Sequence, residues 1–254
     1  MQCFNSSLLG ATSVMLRKPE MAATYLSQLA FSEVPSESIL LVPLGSCEQH
    51  GPHLPLDTDL RIACYLSDQL AQTRSDVVIA PPITMSASGE HQGFAGTLSI
   101  GAAVLESVVI ELVRSALPAP GVGPFVAVLF VNGHGGNIAA ANAAVRQLQA
   151  ESRSVAVWNP QVPGGDSHAG RTETSMLMYF DPSCVRTEQL QSGSTERWRD
   201  IGPRVMAEGL GSVTPNGILG DPRDATAQEG AETCAALVRN LEDFVADWRE
   251  QPNL

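Results

Sequence analysis

The stretch "SILLVPLGSCEQHGPHLPLDTDLRIA", Ser38 to Ala63, decides the fold. It opens with a nearly unbroken apolar run, Ser38–Leu44, of strand length. A short run without polar alternation reads as a strand buried on both faces, the signature of a parallel sheet covered by helices. Immediately beyond it stand Glu48, His50, His53, Asp57 and Asp59. Open α/β sheets build their sites at the carboxyl ends of strands, so this crowding of imidazoles and carboxylates marks one end of the sheet as functional.

The chain around this stretch repeats the pattern. Asp59–Gln72 carries Ile62, Leu66 and Leu70 at helical spacing, and Val77–Ala80 is a short apolar run ending at Pro81-Pro82. Ala102–Leu117 reads as a helix stopped by Pro118 and Pro120. "FVAVLFV", Phe125–Val131, is the clearest buried strand; an Ala-rich helix over Ile138–Glu151 and a strand over Ser154–Trp158 follow. Thr172–Tyr179 and the amphipathic Ala225–Arg249 complete the helices. Strands alternating with helices predict βαβ units and a mostly parallel sheet covered on both faces. No linker or repeat interrupts residues 1–254, which are expected to form a single α/β domain. Residues 180–224 are poorly periodic and rich in Gly, Pro and charge, and are expected to be a surface excursion at a site rim or subunit contact.

Composition narrows the function. The 254 residues are 44% hydrophobic, enough to bury a substantial core, and aromatics are only 5%, which suits close-packed helices on a sheet. A formal net charge of −12 provides no basic footprint for nucleic acid. No apolar stretch is long enough to span a membrane, and the N-terminus lacks the charged and apolar regions of a signal peptide. Cys3, Cys47, Cys64, Cys184 and Cys234 are odd in number and widely spaced, as expected for reduced thiols of a cytoplasmic protein.

The five histidines are His50, His53, His91, His134 and His168, each in a Gly-rich or carboxylate-rich segment. "GSCEQHGPH" follows one predicted strand and "VNGHGGN" another, so the two loops can meet although far apart in sequence. Glu48 and His50 are two apart and point to the same side of an extended chain. Asp59 arrives at a predicted helix start, where capping the helix is the plain alternative to ligation; Asp57 alone reads as a turn residue. Glycines around His134 permit close approach of backbone and ligand, with Asn132 and Asn137 able to hold the loop. The phosphate-cradle alternative for this loop lacks the required lysine pattern. "GGDSHAGRTETS", Gly164 to Ser175, adds Asp166, His168 and Glu173, although Glu173 early in a helix also suits the helix dipole.

Imidazoles with carboxylates and no thiolate match zinc, manganese or ferrous iron. Glu48, His50, Asp59, His134 and Glu173 make five ligands, enough for two divalent cations if Asp59 bridges them. Two such cations bring four positive charges; three carboxylates and a hydroxide offset them and leave an acidified nucleophile. His168, outside that set, is the candidate for proton transfer, with Glu173 also counted among the catalytic groups. Glu90 and His91, with Gly135 and Asp166, are candidates for binding substrate. Cys47 has no evident base beside it, and no G-x-S-x-G elbow is present.

Four ordered motifs, "VPLGSCEQHGPHLPLDTD", "SGEHQGFAGTLSIG", "FVNGHGGN" and "HAGRTETS", resemble the creatininase family of metal-dependent amidohydrolases, over roughly Leu41 to Phe180 and again at "GILGDPRDAT". Within that family the chain is most similar to members of the mycofactocin system. The resemblance implies a three-layer α/β/α fold, a dinuclear metal site and a homo-oligomer such as a hexamer. It also implies a small modified peptide as substrate, trimmed of a C-terminal Val-Tyr dipeptide. By motif, Glu48 and His134 resemble ligands of one metal, His50 a ligand of the other, Asp59 the bridge and His168 the proton-transfer histidine. Creatininase has a glutamate where this chain has Gly136, and Glu173 is the expected substitute. An amidohydrolase acting on creatinine, or on a formylated amide such as a formamidopyrimidine, is the alternative substrate reading. A metal-binding module without catalysis is the alternative of another class.

Overall fold

The computed structural model describes residues 22–119 and 121–250; Cys3, the segment around the N-terminus and Pro120 lie outside them. Five strands, β1 (Thr24–Tyr25), β2 (Ser38–Leu44), β3 (Val77–Ile79), β4 (Phe125–Asn132) and β5 (Val155–Trp158), form one sheet in the order β1-β3-β2-β4-β5. Every pairing is parallel. The helices are α1 (Thr58–Thr73), α2 (Ala102–Ala116), α3 (Ile138–Ala150), α4 (Arg171–Phe180), α5 (Trp198–Glu208) and α6 (Ala227–Glu250).

The period-2 alternation of each strand divides the core into two. Ile39 and Leu41 of β2, with Ala127, Leu129 and Val131 of β4, face α1, α4 and α6. Leu40, Val42 and Leu44, with Val128 and Phe130, face α2 and α3. Both faces of the central strands are covered, which is why their sequence shows no polar alternation. The result is the three-layer α/β/α sandwich. Pro43 is tolerated inside β2 because of where it falls. Its side of the strand faces β3, as the acceptance of the Ile83 N–H by its carbonyl shows, and β3 has already ended at Ile79. The missing donor therefore interrupts no β2–β3 ladder bond.

The expected elements form with boundaries shifted by a residue or two. Two elements escaped the sequence reading. β1 has only two residues, and α5 falls inside 180–224. Helix α5 buries only Ile201, Gly202 and Val205 and contains Pro203, so its helical signature is thin. It docks through Ile201 and Val205 on Leu210 and Leu219, a small core of its own beside the carboxyl edge of the sheet. Cys47, Cys64, Cys184 and Cys234 are free thiols, and among the described residues no helix is long and apolar enough to cross a membrane.

Two glycines decide how the carboxyl edge is built. Gly45 follows β2 and Gly133 follows β4. A Cβ on Gly45 would lie 2.5 Å from the Leu60 Cα, and one on Gly133 would overlap the Asp59 carbonyl oxygen. The first turn of α1 is thus set directly against the ends of both central strands. That contact delivers Asp59 to the floor of the site.

Candidate metal centre

Four loops leave the carboxyl edge and converge. The loop after β2 supplies Glu48, Gln49 and His50; the one after β3 supplies Glu90 and His91; that after β4 supplies His134; and that after β5 leads to His168 and Glu173. Glu48, His50, His53, Asp59, His91, His134 and His168 are all buried.

Asn137 clamps three of these loops. Its Nδ2 donates to the Gly45 carbonyl at 3.1 Å and to Asn132 Oδ1 at 3.1 Å, and its Oδ1 accepts from the Ala87 N–H at 3.1 Å. Asn132 in turn holds the His134 backbone, accepting its N–H at 3.2 Å and donating to its carbonyl at 2.8 Å.

Asp59 does not cap α1; it faces inward from the first turn. Ser46 Oγ donates to its Oδ2 at 2.8 Å, and His134 Nδ1 lies 3.1 Å from the same oxygen. Its Oδ1 meets His50 Nε2 at 2.9 Å. Each oxygen therefore serves a different group, the geometry of a bridge. Glu48 Oε1 lies 3.2 Å from His134 Nδ1 on one side, and Glu173 Oε2 lies 3.8 Å from His50 Nε2 on the other. Glu48, His50 and Asp59 present donor atoms within 4.8 Å of one another.

The histidine tautomers test whether a cation fits. His50 Nδ1 lies 3.1 Å from the Glu48 carbonyl oxygen, and His134 Nε2 lies 3.0 Å from the Ala87 carbonyl oxygen. A carbonyl only accepts, so these rear nitrogens carry hydrogen. The forward nitrogen of each neutral ring then aims a lone pair at the carboxylates, as metal-bound histidines do. Neither oxygen of the fully buried Glu48 has a hydrogen-bond partner. An orphaned buried carboxylate is costly unless a cation completes it, so the residues present fit a divalent metal.

Charge tells the same story. Burial disfavours the imidazolium of His50, but Asp59, Glu173 and Glu48 outweigh it and push its pKa up to about 10. Burial likewise opposes the charged form of His134, and Glu48 and Asp59 again prevail and raise its pKa well above the usual value. Burial raises the Glu48 pKa despite the His134 charge. Burial also pushes Glu173 up to about 7, with Asp59 adding to the rise and His50 opposing it. Asp59 is also buried, yet His50 and His134 hold it well below the carboxylate range. The site is an excess of negative charge that collects protons when no metal is supplied.

His168 stands beside the cluster. Its Nε2 lies 2.8 Å from the Gln49 carbonyl oxygen and therefore bears the hydrogen; its Nδ1 lone pair faces Glu48 Oε1 at 3.7 Å. Burial, then the charges of His50 and His91, hold its pKa well below the usual value and keep the ring neutral. His53 lies apart, with Nε2 2.9 Å from Thr174 Oγ1, and is held neutral by burial and His50 at about 4.

The substrate-side candidates separate. A cavity of about 510 Å³ lies over the cluster, floored by Asp59, His134, His168 and Glu173 and reached also by Glu90, His91 and Gly135. A Cβ on Gly135 would meet nothing, so its backbone faces open space. Asp166 is different. Its carboxylate accepts the N–H groups of Arg171 and Thr172, the latter at 3.0 Å. Its oxygens anchor the start of α4, which carries Glu173, rather than reaching into this cavity. The space vacated at Gly136 is filled from another loop: a Cβ there would overlap Glu90 Oε1, which lies 3.5 Å from His134 Nε2. Sequence reasoning missed Gln49, whose amide nitrogen lies against His91 and His168, and the apolar wall made by Trp198, Val205, Met206, Leu210 and Leu219. No periodic signal pointed to that wall, because it comes from α5 and the turns beside it.

Inward-aimed imidazoles and carboxylates at the carboxyl edge of a parallel α/β sandwich define a site suited to a metal ion. Comparison with known proteins narrows the class. The creatininase profile, described as creatinine amidohydrolase, matches residues 25–245. The mycofactocin precursor peptide peptidase of Mycolicibacterium smegmatis is 44% identical over 241 residues, covering 92% of this chain and 94% of that protein. Its namesake in Mycobacterium tuberculosis is 44% identical over 233 residues, covering 87% and 90%. Among solved structures, a creatinine amidohydrolase superposes with a TM-score of 0.72 at 21% identity, covering 91% of this chain and 99% of the other. A manganese form of creatininase gives 0.72 at 19%, covering 89% and 98%. The chain belongs to the creatininase family.

Proposed function

We propose that this protein is a metal-dependent peptidase that removes the C-terminal Val-Tyr dipeptide from the mycofactocin precursor peptide. The observation that carries the metal chemistry is the pair of back-bonded histidines, His50 and His134, aimed at Asp59 beside an otherwise unpartnered Glu48. The names of the relatives support the substrate.

In this reading Glu48, Asp59 and His134 would hold one divalent cation, and His50, Asp59 and Glu173 a second. Zinc, ferrous iron and manganese all suit such a nitrogen and oxygen set. Bound there, they supply Lewis acidity, which acidifies water and polarises the scissile carbonyl. His168 takes the proton of the attacking water at Nδ1 and returns it to the nitrogen of the leaving amine. Its neutral state keeps that lone pair available. The wall of Trp198, Val205, Met206, Leu210 and Leu219 receives the apolar side chains of the peptide end and excludes water. A cytoplasmic homo-oligomer such as a hexamer belongs to the same reading, and exposed Phe31, Met85 and Leu98 offer it apolar surface to bury.

The test is incubation of zinc-, iron- or manganese-loaded protein with the modified precursor, followed by mass spectrometry. Released Val-Tyr is expected. Intact peptide under every metal condition, or turnover of creatinine or a formylated amide in its place, refutes the reading.

A further inference from the structure

Besides His168, three histidines point one ring nitrogen at the carboxylates of the cluster: His50, His134 and His91. His91 Nε2 lies 3.4 Å from Glu48 Oε1, and Glu48, His91 and His168 present donor atoms close enough to hold a cation. Distance alone does not exclude His91 as a ligand. What stands behind its ring is different.

The rear nitrogens of His50 and His134 face carbonyl oxygens. The rear nitrogen of His91, Nδ1, faces Gln49 Nε2 at 3.1 Å. The orientation of that amide is determined twice over. Gln49 Oε1 accepts the Gly51 N–H at 2.9 Å, and Gln49 Nε2 donates to the Gly217 carbonyl at 2.9 Å. Turning the amide over would set two donors together at Gly51 and two acceptors together at Gly217. Gly217, at φ +77°, leaves the amide its room, since a Cβ there would overlap Gln49 Oε1. Gln49 itself is 6% exposed, so water cannot substitute for any of these partners.

An amide nitrogen has two hydrogens. One goes to the Gly217 carbonyl. The other goes to His91 Nδ1, because His168 Nε2 already carries a hydrogen directed at the Gln49 carbonyl oxygen. His91 Nδ1 is therefore an acceptor, and the hydrogen of its neutral ring sits on Nε2, toward Glu48.

We propose that Gln49 is a positioning residue whose side-chain amide locks His91 with Nε2–H facing the cluster, barring it from the metal ligand set. The hydrogen-bond partner behind each ring, carbonyl or amide N–H, thus separates ligand from non-ligand. His91 is left to offer a fixed N–H beside the Glu48 carboxylate at the cavity floor. The kinetic consequence rests on the metallopeptidase reading; the tautomers do not.

The experiment is long-range proton–nitrogen correlation NMR on protein with nitrogen-15 histidine, both chelated and zinc-loaded. Gln49→Glu and Gln49→Met keep the side-chain length while replacing the donor by an acceptor or by neither. The wild type should show His91 with hydrogen on Nε2. Gln49→Glu should invert it to Nδ1–H, and Gln49→Met should give a mixture. His168 should keep Nε2–H throughout, because a backbone carbonyl holds it. Gln49→Glu should lower kcat by about 10- to 100-fold with KM little changed, the usual scale for a residue behind the ligands. His91→Ala should retain full zinc content, whereas His50→Ala and His134→Ala should lose zinc. Nδ1–H on His91 in the wild type, one tautomer in all three proteins, or zinc loss from His91→Ala each overturns the proposal. If Gln49→Glu does not fold, Gln49→Met and His91→Ala decide it. Loss of peptide turnover with the tautomers as described would count against the function alone.

Discussion

Chelated protein should become less stable as pH rises above 7, and divalent metal should abolish that loss. His50 carries the prediction. Its pKa is pushed from 6.5 to about 10 in the folded protein, because Asp59, Glu173 and Glu48 outweigh its burial. A raised pKa means that the folded state keeps a proton that the unfolded chain releases. The stabilisation is full below pH 6.5 and is lost on the way to about 10. One retained proton costs ~1.4 kcal/mol per pH unit, so His50 alone gives a total of roughly 5 kcal/mol as an upper figure. His134, raised by Glu48 and Asp59 against its burial, acts in the same direction. Glu48, raised by burial, adds to the same trend. His53 and His91, held down chiefly by burial at about 4 and about 3, titrate between those values and 6.5, where they favour the folded state as pH rises. Glu173, raised to about 7, releases its proton around that pH and acts in the same direction as His50. Urea denaturation in chelator should therefore show unfolding free energy falling from pH 7 to 8.5 by at least ~1.4 kcal/mol per pH unit, the slope of one retained proton. Bound zinc displaces both protons, so the loaded protein should show a flat profile and a metal affinity that rises with pH. A chelated protein whose stability is flat or rising from pH 7 to 8.5 would refute the charge accounting of the site.

Four further outcomes follow from named contacts. Asp59→Asn removes the carboxylate charge between His50 and His134; metal analysis should show loss of bound cation, and activity should fall by at least about 100-fold, the upper scale for groups that tune a metal site. Gly133→Ala drives a methyl into the Asp59 carbonyl and should lower stability by about 1–3 kcal/mol on denaturant titration. Asn137→Ala strands the buried Ala87 N–H, takes away one of the two donors to the Gly45 carbonyl and should cost about 1–3 kcal/mol, seen as a lower Tm. Trp198→Ala opens the apolar wall away from the reacting groups, so steady-state kinetics should show KM raised with kcat largely kept.

Much of the fold was legible from local pattern. Ser38–Leu44 and Phe125–Val131 are apolar without alternation because both faces of a central parallel strand are covered, and that property belongs to the residues themselves. Helix α5 was not legible, since it buries few residues and contains Pro203. The candidate residues in "CEQH", "NGHGG" and "SHAGRTE" were visible as chemistry crowded after strand ends. The reading of Asp59 stayed open between cap and ligand, because both need an aspartate at a helix start. Only the close approach of α1 to Gly45 and Gly133 turned its side chain inward.

From residue types and their order alone, the chain's α/β class, its carboxyl-edge site and its supply of imidazoles and carboxylates were determined, because hydrophobic period and side-chain chemistry are local properties. Which nitrogen of each histidine faces the cluster, how Glu90 occupies the space at Gly136 and which wall closes the cavity were decided by tertiary structure. Each depends on what a loop from a distant strand sets behind or beside the residue, and no local pattern encodes that neighbour.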